Sequence, residues 1–94
     1  MRTQDVIMDT IKDIMVIKFS FKGDIREESM NIPLTSAYFN LGGIQLYQLL
    51  MCIEDAFNIY IEPDDIVERG FYTLENIKKL VESKLYENIK LQNH

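Results

Sequence analysis

The chain has 94 residues, enough for one domain, and its 47% apolar and 11% aromatic content supports a folded core and excludes wholesale disorder. Fifteen acidic residues against ten basic ones give a net charge of -5, which points away from nucleic acid as a partner. The single cysteine, Cys52, excludes an internal disulfide and a cysteine-based metal site, and no apolar run approaches the roughly 20 residues that a membrane crossing needs.

Charge is unevenly spread. Residues 1–30 are nearly balanced, with five basic and six acidic groups, and residues 31–53 carry none. Residues 54–76 hold seven acidic groups and Arg69, and residues 77–94 hold four Lys and two Glu. The result is an uncharged middle, an acidic band behind it and a mildly basic tail. The first 13 residues have no apolar core of signal-peptide type, so the expected location is the cytoplasm.

A first helix can begin at Thr3-Gln4-Asp5, with Thr3 or Asp5 near its cap. Val6, Ile7, Thr10, Ile11 and Ile14 mark one face; Asp5, Asp9, Lys12 and Asp13 mark the other. Asp5 and Asp9 suit the positive end of the helix dipole. From Met15 to Phe21 the residues Ile17, Phe19 and Phe21 alternate as in a strand, but a lone strand would have no partner. The expectation is a helix end running into an extended loop, with Phe19 and Phe21 as anchors. Lys22 to Tyr38 is then a long connection, punctuated by Gly23-Asp24 and kept from continuous helix by Pro33. Ile25, Met30, Ile32 and Leu34 are placed to pin it down, and Thr35–Tyr38 suits a short helical turn.

Leu41 to Phe57 is the central stretch. It opens on Gly42-Gly43 and predicts an amphipathic helix of roughly 14 residues. Leu46, Leu49, Leu50, Ile53 and Phe57 form its main stripe. Ile44, Tyr47 and Met51 form a second apolar line at i, i+3 and i+7. Two readings stay open for that second line. It can be core and edge packing, or an exposed recognition patch, of which a homodimer through this face is a variant. Cys52 reads as a small, semi-buried helix residue.

Pro63 fits the first position of a short third helix, and Asp64-Asp65 fit its positive end; Ile66 and Val67 would face inward. Gly70 breaks the chain. Thr73 caps a last helix over Leu74–Leu85, with Asn76 at the third position in place of the Glu of a full capping box. Leu74, Ile77, Leu80, Val81 and Leu85 are its stripe, with Glu75, Lys78, Lys79 and Glu82 facing water and Glu75–Lys79 and Lys78–Glu82 as i,i+4 pairs. The tail, 86–94, is expected to fray, although Ile89 could extend the stripe. The predicted fold is all-α: one four-helix bundle over the 94 residues, its core about 4–85, with a long loop between the first and second helices.

Sites of chemistry are sparse. His94 is the lone histidine and reads as a solvated tail residue. Asp64, Asp65 and Glu68 lack the alternating ligands and central glycine of a calcium loop and read as a helix start. Gly42-Gly43 has no accompanying Lys or strand, so it is no phosphate loop. It eases the turn into the helix, or allows close backbone approach by a partner. No base–nucleophile pair or metal constellation is present, so neither an enzyme nor a metal is expected.

The order of elements resembles an acyl carrier protein over roughly residues 4–85. The residues that carry the resemblance are Leu41–Phe57, then Ile61, then Pro63-Asp64-Asp65-Ile66, then Phe71-x-Thr73-Leu74 and Ile77. The resemblance implies a four-helix domain that holds a phosphopantetheine arm on a serine at the start of its second helix. Counting back from Ile53-Glu54-Asp55-Ala56-Phe57, the family's Asp-Ser-Leu falls on Gly42-Gly43-Ile44. Anchoring on Leu41-Gly42 instead gives Ile44-Gln45-Leu46, in a helix two residues shorter. Neither register supplies a serine, and a phosphoester needs an alcohol. Ser36 and Thr35 lie upstream in the loop, without the Asp before or the Leu after.

The chain is therefore similar to the acyl-carrier-related proteins of peptide maturation systems that lack the attachment serine. That resemblance implies an adaptor without a prosthetic group or other cofactor. It would bind a biosynthetic enzyme or precursor peptide through Ile44, Gln45, Tyr47, Gln48 and Met51. Glu54 and Asp55, with Asp64, Asp65 and Glu68 further along, would supply acidic guidance. The alternatives are a genuine carrier modified at a non-standard site and a small helical structural or regulatory domain.

Overall fold

The computed structural model describes residues 3–92, with side chains from 5 to 89. It is all-helical: α1 is Thr3–Phe19, α2 Gly43–Phe57, α3 Pro63–Arg69 and α4 Leu74–Gln92. The four helices make a small four-helix bundle, with a 23-residue connection (residues 20–42) between α1 and α2. No described helix is long and apolar enough to cross a membrane. His94 lies outside the described residues.

α1 runs further than the sequence reading placed it. Met15 is fully buried one turn after Ile11, and Phe19 is half-buried one turn later, so the i, i+4 line set by Ile7 and Ile11 simply continues. The apparent strand alternation is a by-product, since Ile17 is 72% exposed on the outer side of the same helix. Val6 also turns outward, although it was expected on the inner face. The helix stops at Ser20, which takes a left-handed φ of 55°, and the Phe21 amide then bonds back to the Met15 carbonyl at 3.0 Å.

The long connection is ordered by local bonds and by two long-range clips. A 3-10 turn, Glu27–Asn31, is an element the sequence did not signal. Ser29 Oγ accepts the Arg26 amide and donates to the Asp24 carbonyl, and the Tyr38 hydroxyl donates to the same carbonyl. Phe21, Tyr38 and Phe39 pack as an aromatic trio with ring centroids 5.0–5.6 Å apart. The expected turn around Thr35–Tyr38 is present, closed by the Asn40 amide on the Ser36 carbonyl at 2.6 Å. Leu34, fully buried, donates its amide to the Tyr72 carbonyl at 2.7 Å and accepts from the Leu41 amide at 2.9 Å. The loop is thereby clipped both to the α3–α4 corner and to the start of α2.

α4 is the spine. It packs on α1, on the 3-10 turn and on α3, while α2 packs on α1. Leu74, Ile77, Leu80 and Val81 are fully buried against Ile7, Ile11, Met15, Leu49 and Ile53. Its start is a reciprocal cap: Thr73 Oγ1 accepts the Asn76 amide at 3.1 Å, and Asn76 Oδ1 accepts the Thr73 amide at 3.2 Å. Asn76 thus fills the place of the Glu in a capping box, and it also accepts the Tyr72 amide. The same side chain crowds Gly70, where a Cβ would stand 3.2 Å from Asn76 Oδ1 at a φ of +83°. Glycine is therefore required at that corner.

Three expectations for the second half are corrected. α4 does not fray at residue 86 but continues to Gln92, and Ile89 is 58% exposed rather than part of the stripe. Val67 is 84% exposed; only Ile66 of that pair packs inward. Glu75, Lys78 and Glu82 are half-buried rather than open to water, and Glu75 pairs with both Lys78 and Lys79.

Candidate functional site

The outer face of α2 is where the sequence left two readings open, and the fold leaves the second apolar line outside the core. Leu49 and Ile53 are fully buried, with Leu46, Leu50 and Phe57 packed against the core beside them. A helix turns 100° per residue, so Ile44, Tyr47 and Met51 are carried round to the opposite side. They are 78%, 63% and 48% exposed. Gln48 and Asp55 are exposed next to them. The five residues fall within an arc of about 100° and extend about 16 Å along the helix.

Two of the expected contact residues have other work. Gln45 is exposed, but its Oε1 accepts the Gly42 amide at 2.8 Å. Glycine has no side chain to return the bond, so this is one half of a capping box. Glu54 is half-buried, and its Oε2 accepts the Ile61 amide at 2.8 Å, tying the end of α2 to the segment before α3. Its backbone carbonyl closes the helix by accepting both the Asn58 amide, from a left-handed residue, and the Ile59 amide.

Gly43 is the first residue of α2, and a Cβ built there would meet nothing within 4 Å. Its φ is not in the left-handed region, so neither backbone nor neighbours require glycine at this position. The upstream hydroxyls differ from each other. Ser36 Oγ is buried without a hydrogen-bond partner, whereas Thr35 is exposed in the turn.

Two clefts touch both α2 and Phe19, and the first of them borders the strip. One, of about 410 Å³, lies between the end of α1 and the side of α2 and is lined by Lys18, Phe19, Gln48, Met51, Cys52 and Asp55. The other, of about 440 Å³, opens at the aromatic trio and reaches Gln45. Lys18 and Phe19 were missed as neighbours of the α2 face. The available signal was Phe19 itself, read as a loop anchor when it is the last residue of α1.

The remaining acids divide into committed and free. Asp65 accepts the Glu62 amide at 2.8 Å and holds Lys84 of α4 at 2.7 Å, with both side chains less than a fifth exposed. Burial alone would push the Asp65 carboxyl up. The Lys84 hydrogen bond, the Glu62 amide and the nearby positive charges outweigh it and hold Asp65 below the usual carboxylate range. The hydrogen bond to Asp65 raises Lys84 in return, against its own partial burial. Asp65 is therefore a bundle tie as well as a helix cap. Asp64, Glu68 and Asp55 stay exposed.

No family model matches the chain, and no curated protein or solved structure matches it either.

Proposed function

We propose that this chain is a carrier-like adaptor without a phosphopantetheine arm and without catalysis of its own. It docks a protein partner, a peptide-modifying enzyme or its precursor peptide, through the outer face of α2. The observation that carries this reading is the exposure of Ile44, Tyr47 and Met51 on one helix face. Large apolar side chains exposed in a contiguous line, flanked by an amide such as Gln48, are suited to a fairly dry protein contact. Met51 adds an adaptable thioether that fills irregular gaps in a partner surface.

The carrier-like part rests on chain order. The position matching the family's attachment serine, Gly43, coincides with the first residue of the second helix, at an open surface site. That is where an arm would be displayed, and here there is no oxygen to carry one. The buried Ser36 hydroxyl is a poor substitute, because a transferase would have to reach an oxygen closed off from solvent.

The experiment is a pull-down from the native host, with the intact mass of the bait recorded in the same run. An unmodified bait that captures a peptide-modifying enzyme, and loses it on Tyr47→Ser with Met51→Ser, bears out the adaptor. A bait heavier by one phosphopantetheine arm overturns it and restores an acyl carrier.

A further inference from the structure

The cleft of about 410 Å³ between the end of α1 and the side of α2 is lined by two opposite charges that do not pair. Lys18 comes from α1 and Asp55 from α2; both are exposed, and neither has an ion pair among the described residues. Gln48 lines the same cleft, exposed and without a hydrogen bond among the described residues. Phe19 and Cys52, both half-buried, and Met51 supply the apolar lining. An apolar cleft of this size, with a few polar groups that nothing else engages, is the common form of a ligand site.

The α2 wall consists of Gln48, Met51, Cys52 and Asp55, at i, i+3, i+4 and i+7. This spacing puts the four on one side of the helix and spreads them over about 10 Å of its length. An extended chain advances about 3.3 Å per residue, so about three residues match that wall. The Gln48 amide offers a donor and an acceptor, as a peptide unit does. We infer that this cleft takes a short extended peptide segment in which one apolar residue stands between an acidic and a basic one. The apolar side chain enters against Phe19, Met51 and Cys52. The acid pairs with Lys18, the base with Asp55, and Gln48 bonds the backbone between them.

The two charges name the occupant more narrowly than the apolar lining does. A like-charged segment sets one of its ends against a like charge on the wall, and a wholly apolar segment leaves both wall charges unpaired. The charges are at the surface, so each pair strengthens binding by no more than about five-fold, and the site is half-filled at about 1 mM of such a segment. Met51 belongs to this cleft and to the outer strip, so the segment extends the docking face onto the end of α1. The inference rests on the adaptor reading for the origin of the segment alone, which it assigns to the precursor peptide, because an unfolded chain presents extended residues without first having to open.

An NMR titration of the full chain with capped tripeptides, at about 0.15 M salt to screen distant charges, tests the site. The probes are Glu-Leu-Lys and Lys-Leu-Glu, one for each direction along the groove, compared with Glu-Leu-Glu, Lys-Leu-Lys and the two mixed-charge peptides carrying Ser for Leu. The better mixed-charge leucine peptide shifts the amides of residues 18–19 and 48–55 and binds at least about 3-fold more tightly than the comparison peptides. Asp55→Lys leaves two cations on the walls and moves the preference to Glu-Leu-Glu. Lys18→Glu leaves two acids and moves it to Lys-Leu-Lys. Glu68→Lys makes the same change of charge at an exposed position of α3 and leaves the preference where it was. All three positions are exposed, so the fold tolerates each variant. No shift at about 10 mM peptide overturns the inference, as do shifts confined to other residues or a preference that does not follow Lys18 and Asp55. A chain that binds the peptide but captures nothing from its host removes the adaptor reading alone, and capture without peptide binding removes the cleft alone.

Discussion

The carboxylate of Glu54 accepts the amide of Ile61 at 2.8 Å, so the last turn of α2 holds the segment that leads into α3. An acid that reads in sequence as guidance for a partner is a fastener within the chain. Removing the acceptor leaves the half-buried Ile61 amide without its bond, at a cost of about 1–2 kcal/mol. Glu54→Ala should lower stability to urea by that amount, while Glu54→Gln, which keeps a carbonyl oxygen, costs about half as much. Partner capture per folded molecule should not change. Unaltered stability with lost capture would return Glu54 to the binding face.

The two sides of α2 should respond differently to truncation. Tyr47→Ser and Met51→Ser remove exposed side chains and should each shift stability by no more than about 0.5 kcal/mol. Leu49→Ala and Ile53→Ala, at fully buried positions, should each cost about 2–5 kcal/mol. Urea midpoints of the four variants, measured side by side, give the comparison. A large loss from Tyr47→Ser would place that ring in the core.

The glycine pair at the start of α2 should accept a rebuilt attachment motif. At Gly42 a Cβ would make only an ordinary 3.6 Å contact with Gln45 Oε1, and at Gly43 it would meet open space. Asp is also a better N-cap than Gly by a few tenths of a kcal/mol, so Gly42→Asp/Gly43→Ser should fold at least as stably as the natural chain. Incubated with coenzyme A and a phosphopantetheinyl transferase, the natural chain should keep its mass and the double variant should gain one arm. A gain by the natural chain would put the attachment at another hydroxyl.

The Asp65–Lys84 tie sets a pH dependence at both extremes. Asp65 is held below its ordinary 3.8, so its contribution is complete above that value and is lost as pH falls through the lower folded value. Lys84 is raised above 10.5, so its contribution is complete below that value and is lost as pH rises through the higher folded one. Lys84→Met should cost about 1–2 kcal/mol at neutral pH, between the values for exposed and buried pairs. The gap between natural and variant chains in a melting series should be flat from about pH 5 to 9 and close at either end. A gap that persists into strong acid would assign the loss to packing of the Lys84 stem.

Local patterns in the sequence were enough for much of the fold. Thr73 followed by Leu74 marked the start of α4, Pro63 the start of α3, and the run without Gly or Pro after Gly43 the whole of α2. These signals act over three or four residues, which is the reach of a cap or of one helical turn. The continuation of α1 to Phe19 was hidden because Ile17, Phe19 and Phe21 also satisfy a two-residue period. Only the burial of Met15 against α4 and α2 breaks that tie.

By itself, then, the sequence determined that α2 has two apolar lines, that its neighbourhood is uncharged and that no serine stands at its start. Periodicity gives the angle between those lines but not which one is covered, because that depends on what packs against the helix. The tertiary structure decided it: α1 lies along Leu49 and Ile53 and leaves Ile44, Tyr47 and Met51 outside. Distance along the chain hid the Leu34–Tyr72, Glu54–Ile61 and Asp65–Lys84 contacts in the same way. Each joins residues that do not share a helix, so each exists only once the chain has folded back on itself.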